Sequence, residues 1–324
     1  MSVLVNNFAL DNVEMRQAYC DALIAEAAVN DKLMVIDADV SHSVGTGRFY
    51  SAYPDRAVNC GIMEAHAVGM SAGLSATGMV PFFHAFGVFA TRRVFDQIFI
   101  ACAYQNLNVK IIGADPRVTA ATNGGTHMPF EDLGVMRLIP GVKIIEPADS
   151  SMYGQIVHAM ANDYGVYYLR TSRRKTVRIY KDRVKFETGK AIELYDGKDV
   201  CIIACGIMVY EAIKARDELL KKGITARVLD MHTIKPVDRK AVISAAAECG
   251  AIVTAENHNA LGGLGSAVCE VVTEELPVPV ERVGVHESFG EVGTQDYLQK
   301  RFKLTAEEIV RKALICIERK GRNI

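Results

Sequence analysis

A single carboxylate stands inside one of the most apolar stretches of the chain. Residues 58–70 read VNCGIMEAHAVGM, and Glu64 is the only acidic residue among them. A carboxylate in such surroundings either pairs with another group, or its pKa rises until it holds a proton near neutral pH. Functional sites use that behaviour, and so do structural ion-pair networks. Glu64 is therefore a candidate proton-sharing residue, with a structural ion pair as the alternative.

Two phenylalanines and a histidine follow later in the chain. Phe86 and Phe89 lie three residues apart near a predicted helix start, a spacing that presents both rings on one face. His127 lies in a glycine-rich loop after a predicted strand, a place where polar side chains meet ligands. The alternatives are core packing for the two rings and a solvated loop position for the histidine.

The composition excludes several classes of protein. The chain has 324 residues, half of them hydrophobic, and a net charge of −1, which gives no cationic field for nucleic acid. Its eight cysteines show neither a close CxxC pair nor zinc-type spacing, so we expect reduced core thiols and no metal site in this chain. The start of the chain has no signal-peptide pattern, and the longest uncharged run is broken by glycines and a proline. We expect a cytoplasmic protein without membrane contact.

Predicted strands and helices alternate through two blocks. The first block has strands near 33–39, 79–83, 109–113, 142–147 and 166–170 and helices near 11–30, 63–77, 88–105, 130–138 and 150–162. The second has strands at 200–206, 226–230 and 251–256 and helices at 208–222, 238–248 and 264–275. A charged, turn-rich stretch between the blocks predicts a linker with a boundary near 185. This alternation predicts two α/β domains, residues 8–180 and 190–324, each with a parallel or mostly parallel sheet flanked by helices.

Several segments together resemble the transketolase-like family of thiamine diphosphate enzymes. Residues 60–66, CGIMEAH, are similar to the family's G-x-x-E-H/Q segment, and residues 86–91, FGVFAT, to its aromatic cofactor segment. Residues 125–132, GTHMPFED, resemble its substrate-loop histidine region, and residues 262–268, GGLGSAV, the helix start of its C-terminal domain. The order and spacing of these motifs across nearly the whole chain carry the resemblance.

The resemblance implies roles for the candidate residues. Glu64 is the carboxyl that shares a proton with a ring nitrogen of the cofactor's aminopyrimidine. Phe86 and Phe89 stack on that ring, and Asp39, at the end of the first predicted strand, belongs to the cofactor side. His127 contacts the sugar near the reacting carbon, where an imidazole can donate to a developing alkoxide.

An anion site is implied by the same resemblance. Arg16, Ser43 and Arg173 match positions that hold a sugar phosphate in transketolases. Two positions depart from the family pattern. The family's phosphate-side histidine aligns with Asp115, and its acidic residue just before Gly-x-Thr-His aligns with Asn123, which we assign to the substrate side. We therefore expect the sugar or its anionic end to be unusual.

Four further features have open roles. His84 stands where split transketolases usually have a small hydroxyl residue, and we expect it to point into the site. Arg117 is a candidate to compensate for the missing histidine, and His258 is expected to be structural or at a subunit contact. The glycine turn 262–266 could cradle a phosphate, with tight chain reversal as the favoured alternative.

The chain contains no GDG segment, which the family uses to bind the cofactor diphosphate through Mg²⁺. The resemblance therefore implies a split enzyme. A separate N-terminal chain would supply the diphosphate-binding domain and the metal ligands. Thiamine diphosphate would lie between the two kinds of chain in an α₂β₂ assembly.

The expected function is that of the C-terminal subunit of a split transketolase in carbohydrate metabolism of the pentose phosphate type. It would move a two-carbon ketol unit from a ketose, expected to be phosphorylated, to an aldose. One alternative is a β-type subunit of a 2-oxo acid dehydrogenase or a relative of deoxyxylulose phosphate synthase. Another is a non-catalytic α/β regulatory or interaction protein. The Glu-Ala-His segment and the Thr-His loop favour transketolase, because a dehydrogenase more often has Glu-Gln at the first position.

Overall fold

Two mostly parallel sheets flanked by helices form the protein, in a computed structural model that describes residues 3–182 and 184–321. The strands are Leu33–Asp37 (β1), Ala57–Asn59 (β2), Val80–Phe86 (β3), Lys110–Ala114 (β4), Lys143–Ile145 (β5), Tyr167–Thr171 (β6), Ile192–Tyr195 (β7), Val200–Ala204 (β8), Ala226–Asp230 (β9), Thr233–Lys235 (β10), Ile252–Asn259 (β11) and Val280–Val285 (β12). Strands β4, β6, β8 and β9 are buried along their whole length, as parallel strands covered on both faces must be. The predicted fold class is confirmed.

The helices connect these strands along the chain. They are Met15–Ala27 (α1), Ser41–Val44 (α2), Gly47–Ala52 (α3), Glu64–Ala76 (α4), Gly87–Ala90 (α5), Phe95–Gln97 (α6), Asp132–Arg137 (α7), Tyr153–Asn162 (α8), Met208–Leu220 (α9), Arg239–Cys249 (α10), Leu264–Glu275 (α11), Gln295–Arg301 (α12) and Ala306–Gly321 (α13). Short 3₁₀ turns cover 54–56, 92–94, 117–123, 125–127 and 150–152, and residues 98–103 wind as a π-helix. In residues 3–182 and 184–321, no helix is both long and apolar enough to cross a bilayer.

The strand order explains where the candidate residues gather. The first sheet runs β10-β5-β6-β4-β3-β1-β2 and the second β12-β11-β8-β9-β7. Only the edge strands β10 and β7 are antiparallel to their neighbours among the described residues. In an open parallel sheet, ligands bind at the carboxyl ends of the strands. The residues that follow β1, β3 and β4 therefore share one edge of the first sheet.

Two segments differ from the sequence-based expectation. The helix predicted over 88–105 is broken into α5, a 3₁₀ turn, α6 and the π-helical stretch, so its side chains change direction within the segment. The predicted linker packs against the body of the protein: Ile179 and Tyr180 are buried, and the backbone N–H groups of both donate to Asp149. Strand β10, which follows the predicted boundary, pairs with the first sheet. The domain limits 8–180 and 190–324 stay a prediction.

A buried charge network joins the two sheets. Asp132, at the start of α7, accepts hydrogen bonds from Arg117 Nη2 at 3.1 Å and from Arg170 Nε and the Tyr168 hydroxyl at 2.7 Å each. All four side chains are completely buried. Burial opposes the ionisation of Asp132, but Arg170 and Arg117 outweigh it and hold its pKa well below the usual range. The carboxylate is therefore charged throughout the physiological pH range.

The network reaches the second sheet through Arg170. Its Nη1 donates to Glu146 Oε2 at 2.8 Å, and its Nη2 donates to the backbone carbonyl of Asn257 on β11 at 2.9 Å. Nearby, the backbone N–H of Gly134 donates to His258 Nε2 at 3.2 Å. His258 is fully buried, so it has the structural role expected of it, between the two sheets of the same chain.

We predict that Asp132→Ala destabilises the protein by about 3–5 kcal/mol, because it leaves Arg117 and Arg170 buried without their shared carboxylate. Urea denaturation of the purified chain measures the change. The matched control is Glu270→Ala, which removes the partner of Arg137 from an exposed ion pair between the same two parts of the chain. That variant should change stability by less than about 1 kcal/mol. Equal losses in the two variants would contradict the prediction.

Candidate active site

Glu64 lies at the first position of α4, where the helix N-terminus favours a carboxylate. The turn before it uses Gly61 with φ +69°, a conformation that glycine adopts without strain. Glu64 is only 5% exposed, and its Oε1 accepts a hydrogen bond from Arg93 Nη1 at 2.8 Å. Within the described residues, its Oε2 has no hydrogen-bond partner. One oxygen is fixed and the other is left to meet a ligand.

Phe86, Phe89 and His127 form an aromatic cluster beside this carboxylate. Their ring centroids are 6.5 Å apart for the two phenylalanines, and 5.4 and 5.3 Å from the histidine to Phe86 and Phe89. All three pairs meet edge to face, a favourable geometry for aromatic rings. The guanidinium of Arg93 lies 3.8 Å over the Phe89 ring, so it links the cluster to Glu64.

The loop that carries His127 is held by the second half of the chain. A Cβ atom on Gly125 would lie 2.2 Å from the backbone carbonyl oxygen of Gly290, so no larger residue fits there. Upstream, Ala121 has φ +47°, a strained conformation of the kind that clusters at functional sites. Asn123 ends the 3₁₀ segment between these points and leads into the histidine turn.

The residues expected to hold an anion also come together. The backbone N–H of Arg16 donates to the carbonyl of Arg173 at 3.4 Å, and Arg16 Nη1 donates to the carbonyl of Ser43 at 3.3 Å. The Arg173 guanidinium lies 5.4 Å from the Phe86 ring. The anion residues are therefore continuous with the aromatic cluster.

Both arginines already pair with carboxylates. Arg173 Nε forms an ion pair with Asp115 Oδ2, and the Arg173 backbone N–H donates to Asp115 Oδ1 at 2.9 Å. Arg16 Nε pairs with Glu14 at 2.7 Å. Burial raises the pKa of Asp115, and Arg173 opposes that rise.

Asp39 pairs with Asn59 rather than with any residue of the aromatic cluster or the anion group among the described residues. It is exposed at the end of β1 with φ +59°. Its carboxylate accepts a hydrogen bond from the Asn59 side-chain amide at 3.1 Å, and its backbone N–H donates back to the Asn59 side chain at 3.1 Å. This mutual pairing holds Asp39 at the sheet edge, and its assignment to the cofactor side remains a prediction.

Two sequence-based expectations about pocket residues are wrong. His84 does not point into the site: it is completely buried, with Nε2 2.8 Å from the Tyr19 hydroxyl and Nδ1 3.3 Å from the Ile36 carbonyl oxygen. The contact with the Tyr19 hydroxyl directs the His84 ring toward α1. Burial lowers the pKa of His84, so it is neutral. Arg117 does not reach the anion residues, because it is bound to Asp132 in the buried network.

The glycine turn before α11 is not a phosphate cradle. Glu256 on β11 accepts hydrogen bonds from the backbone N–H groups of Leu264 at 2.7 Å and Gly265 at 2.8 Å. A Cβ on Gly263 would lie 2.0 Å from the same carboxylate, so the glycine is needed for this close approach. Burial raises the pKa of Glu256 to about 7.

Sequence reasoning missed the two residues that pair with the site. Arg93 lies four positions after Phe89, a helical spacing that could have predicted their contact. Its ion pair with Glu64, 29 residues away, has no comparable local signal. Glu14 lies two positions before Arg16 and pairs with it directly.

The residues present fit one end of thiamine diphosphate. A buried carboxylate with one unpartnered oxygen, next to half-buried aromatic rings, suits a flat heteroaromatic ring with a ring nitrogen. The diphosphate end needs a divalent cation with several oxygen ligands. In residues 3–182 and 184–321 there is no group of three or more His, Cys, Asp or Glu side chains arranged to bind a metal.

The chain belongs to the transketolase family. The family model of the transketolase pyrimidine-binding domain matches residues 11–177, and that of the transketolase C-terminal domain matches residues 189–309. Membership implies dependence on thiamine diphosphate.

Known relatives include proteins named as single subunits of transketolases. The chain is 48% identical to the 6-deoxy-6-sulfo-D-fructose transketolase subunit SqwH of Clostridium sp. (strain MSTE9), covering 95% of each chain. It is 36% identical to one of the subunits of the apulose-4-phosphate transketolase of Phocaeicola vulgatus, covering 93% of this chain and 97% of that one. A solved structure described as a split gene transketolase, inactive β4 tetramer, matches with a TM-score of 0.88 and 39% identity over 96% of this chain and 100% of the other.

Longer transketolases contain a region similar to this chain. Human transketolase is 34% identical over 85% of this chain, and the matched region spans 45% of the human protein. Together these relatives favour a transketolase subunit over the dehydrogenase and non-catalytic alternatives. The predicted identification, a transketolase-family chain that corresponds to the C-terminal subunit of a split enzyme, is confirmed.

We predict a distinctive pH dependence of stability from Glu256. A carboxyl with a folded-state pKa of about 7 and an ordinary unfolded value binds its proton more tightly when folded. Its contribution to stability is therefore lost as pH rises from about 4.5 to 7, on the order of 3 kcal/mol. Urea denaturation of the wild type and of Glu256→Gln at pH 5 and pH 8 measures it. Between pH 5 and pH 8 the variant should lose less unfolding free energy than the wild type, because glutamine does not titrate. Identical pH dependence of the two proteins would contradict the prediction.

Proposed function

We propose that the chain is the C-terminal subunit of a split transketolase that transfers a two-carbon ketol unit from a ketose to an aldose. The observation that carries the proposal is the buried Glu64 carboxylate, fixed by Arg93 and set beside the aromatic cluster that includes His127. Thiamine diphosphate, when bound, supplies the capacity to stabilise a carbanion.

Each residue of the site has a defined task in this proposal. Glu64 exchanges a proton between Oε2 and a ring nitrogen of the aminopyrimidine, while Arg93 fixes Oε1. Phe86 and Phe89 orient the ring and exclude water. His127, at the edge of both rings, donates to the substrate oxygen near the reacting carbon.

A partner chain completes the site in this proposal. It would supply the diphosphate-binding domain and the Mg²⁺ ligands, and the two kinds of chain would form an α₂β₂ assembly. The absence of a GDG segment from the sequence supports this division. So does the similarity to a chain described as a split gene transketolase in an inactive β4 tetramer.

We further propose that the domains divide at residues 8–180 and 190–324, which lie close to the limits of the two family-model matches. A cytoplasmic location is proposed because all eight cysteines are free thiols.

The substrate in this proposal is a ketose with an anionic end held by Arg16, Arg173 and the Ser43 segment, with Asn123 on the substrate side. The sequence alone predicts a phosphorylated ketose. The 48% identity to a 6-deoxy-6-sulfo-D-fructose transketolase subunit favours a sulfonated one.

We predict that Glu64→Gln lowers kcat of the assembled enzyme by about 10²–10⁴-fold, because an amide cannot exchange a proton with the ring nitrogen. Steady-state ketol transfer by the complex with its partner chain, thiamine diphosphate and Mg²⁺ measures the change. The control is Glu26→Gln, a buried glutamate of the first sheet's helices that pairs with His158. Its turnover should stay within about threefold of the wild type, and an equally active Glu64→Gln enzyme would refute the assigned role.

We predict that thiamine diphosphate with Mg²⁺ binds measurably only when both chains are present, since the diphosphate ligands are assigned to the partner. Calorimetric titration into this chain alone, into a co-encoded GDG-containing chain alone and into their mixture makes the comparison. Tight binding to the lone chain would overturn the shared site. Absence of binding to the mixture would overturn the proposed function.

A further inference from the structure

The anion residues are less positive than two arginines imply. Asp115 is 1% exposed, follows β4 with φ +52°, and contacts Arg173 twice, through the Nε ion pair and through the backbone N–H. An aspartate in this strained, buried position forms part of the site and is not a mobile surface charge. Asp115 therefore takes up the Nε side of the Arg173 guanidinium and leaves the Nη groups for a ligand.

The second arginine is balanced in the same way. Arg16 Nε pairs with Glu14, while its Nη1 is directed to the carbonyls of Ser43 and His42. The two guanidiniums and their two carboxylates sum to zero charge. Such a site can still donate several N–H groups to oxygen atoms, but its electrostatic attraction for a second negative charge is small.

Two common anionic ends of sugars differ in charge at neutral pH. A sulfonate carries one negative charge, whereas a phosphate monoester, with a second pKa near 6, carries between about 1.5 and 2. Both present three oxygen atoms in a similar tetrahedral arrangement. A nearly neutral site rich in N–H donors therefore discriminates between the two groups by charge and favours the singly charged sulfonate.

We propose that Asp115 is a specificity-determining residue that makes the anion site select a singly charged sulfonate over a phosphate at the end of the ketose. The inference rests on the proposed function, in which Arg16 and Arg173 hold that end. The Asp115 carboxylate cancels part of the positive charge of Arg173. Without it, Arg173 would stabilise the second negative charge of a phosphate.

The test compares 6-deoxy-6-sulfofructose and fructose 6-phosphate as donors for the assembled complex with its partner chain, thiamine diphosphate and Mg²⁺. The measured quantity is the ratio of their kcat/KM values. The wild type should favour the sulfonate by about tenfold or more, and Asp115→Asn should move the ratio toward the phosphate by about tenfold, equivalent to about 1.4 kcal/mol. Asparagine keeps an acceptor for the Arg173 backbone N–H, and it removes the negative charge together with the acceptor for Arg173 Nε.

The matched control is Asp163→Asn. Asp163 pairs with Lys143 and precedes β6, at the opposite edge of the same sheet. The ratio of the kcat/KM values for the two donors, measured with Asp163→Asn, should equal that of the wild type. An Asp115→Asn enzyme that loses activity toward both donors equally, with an unchanged ratio, would show a purely structural role and overturn the proposal. A wild type that prefers the phosphate would overturn it as well.

The pH profile of the wild type gives an independent readout that needs no variant. Between about pH 7.5 and 5.5 the phosphate becomes mostly a monoanion while the sulfonate does not titrate. The relative kcat/KM for the phosphate should rise by about tenfold as the pH falls, and a flat ratio would overturn the proposal. The other charged groups near the site are Glu14, Arg16, His42, His127, Arg173 and Arg174, and the ratio cancels only the part of their effect that is equal for the two donors.

Failure of the proposed function gives a different result. Arg173→Ala should raise KM for the sulfonate and leave a neutral ketose unaffected. If Arg173→Ala changes neither, the anion is held elsewhere and the assigned site is wrong. If the complex transfers no ketol unit from any donor, the transketolase proposal itself fails.

Discussion

The carboxylate of Asp132, shared between two buried guanidiniums, sets the positions of several other parts of the molecule. Burying these charges is tolerated because each oxygen of Asp132 accepts a hydrogen bond and because Asp132 and Glu146 together balance the two guanidiniums. Arg170, three residues before Arg173 on the same chain segment, extends the network to the second sheet. Arg117 begins the segment that leads to the histidine turn. The anion site and the histidine loop are thus both attached to one buried interaction.

The proposed site is a continuous series of contacts. It runs from Glu64 through Arg93 and Phe89 to His127, and from there through Phe86 to Arg173. The three rings lie between the two guanidiniums, so each guanidinium contacts a ring as well as a carboxylate.

Local sequence patterns predicted much of this arrangement. The helix over Leu264–Glu275 lies where apolar spacing placed it, and the helix that starts at Glu64 lies within the apolar run where a helix was predicted. Parallel strands place their carboxyl ends at one edge, which brings Phe86 next to the residues that end β4 and precede Asp115. The segment after Phe89 was less accessible to prediction, because a π-helical stretch changes the period within it.

Pairings between distant residues could not be predicted from one sequence. His84 was expected in the site, but its orientation is decided by Tyr19, 65 residues earlier. The ion pair of Asp115 with Arg173 spans 58 residues, and strand β10 joins a sheet whose other strands end before residue 172. The identity of a side chain alone does not indicate which distant residue it pairs with in the folded protein.

The close packing of Gly125 on Gly290 bears on how this chain can be divided. None of the proposed site residues lies after the linker, so the second domain would look dispensable by residue assignment alone. Yet the backbone at Gly290 packs directly against Gly125 in the loop that carries His127, so closely that not even one methyl group fits between them. The smallest unit that retains the geometry of His127 therefore includes both domains. Exchanging the second domain between relatives would alter the proposed catalytic loop without changing the sequence of that loop.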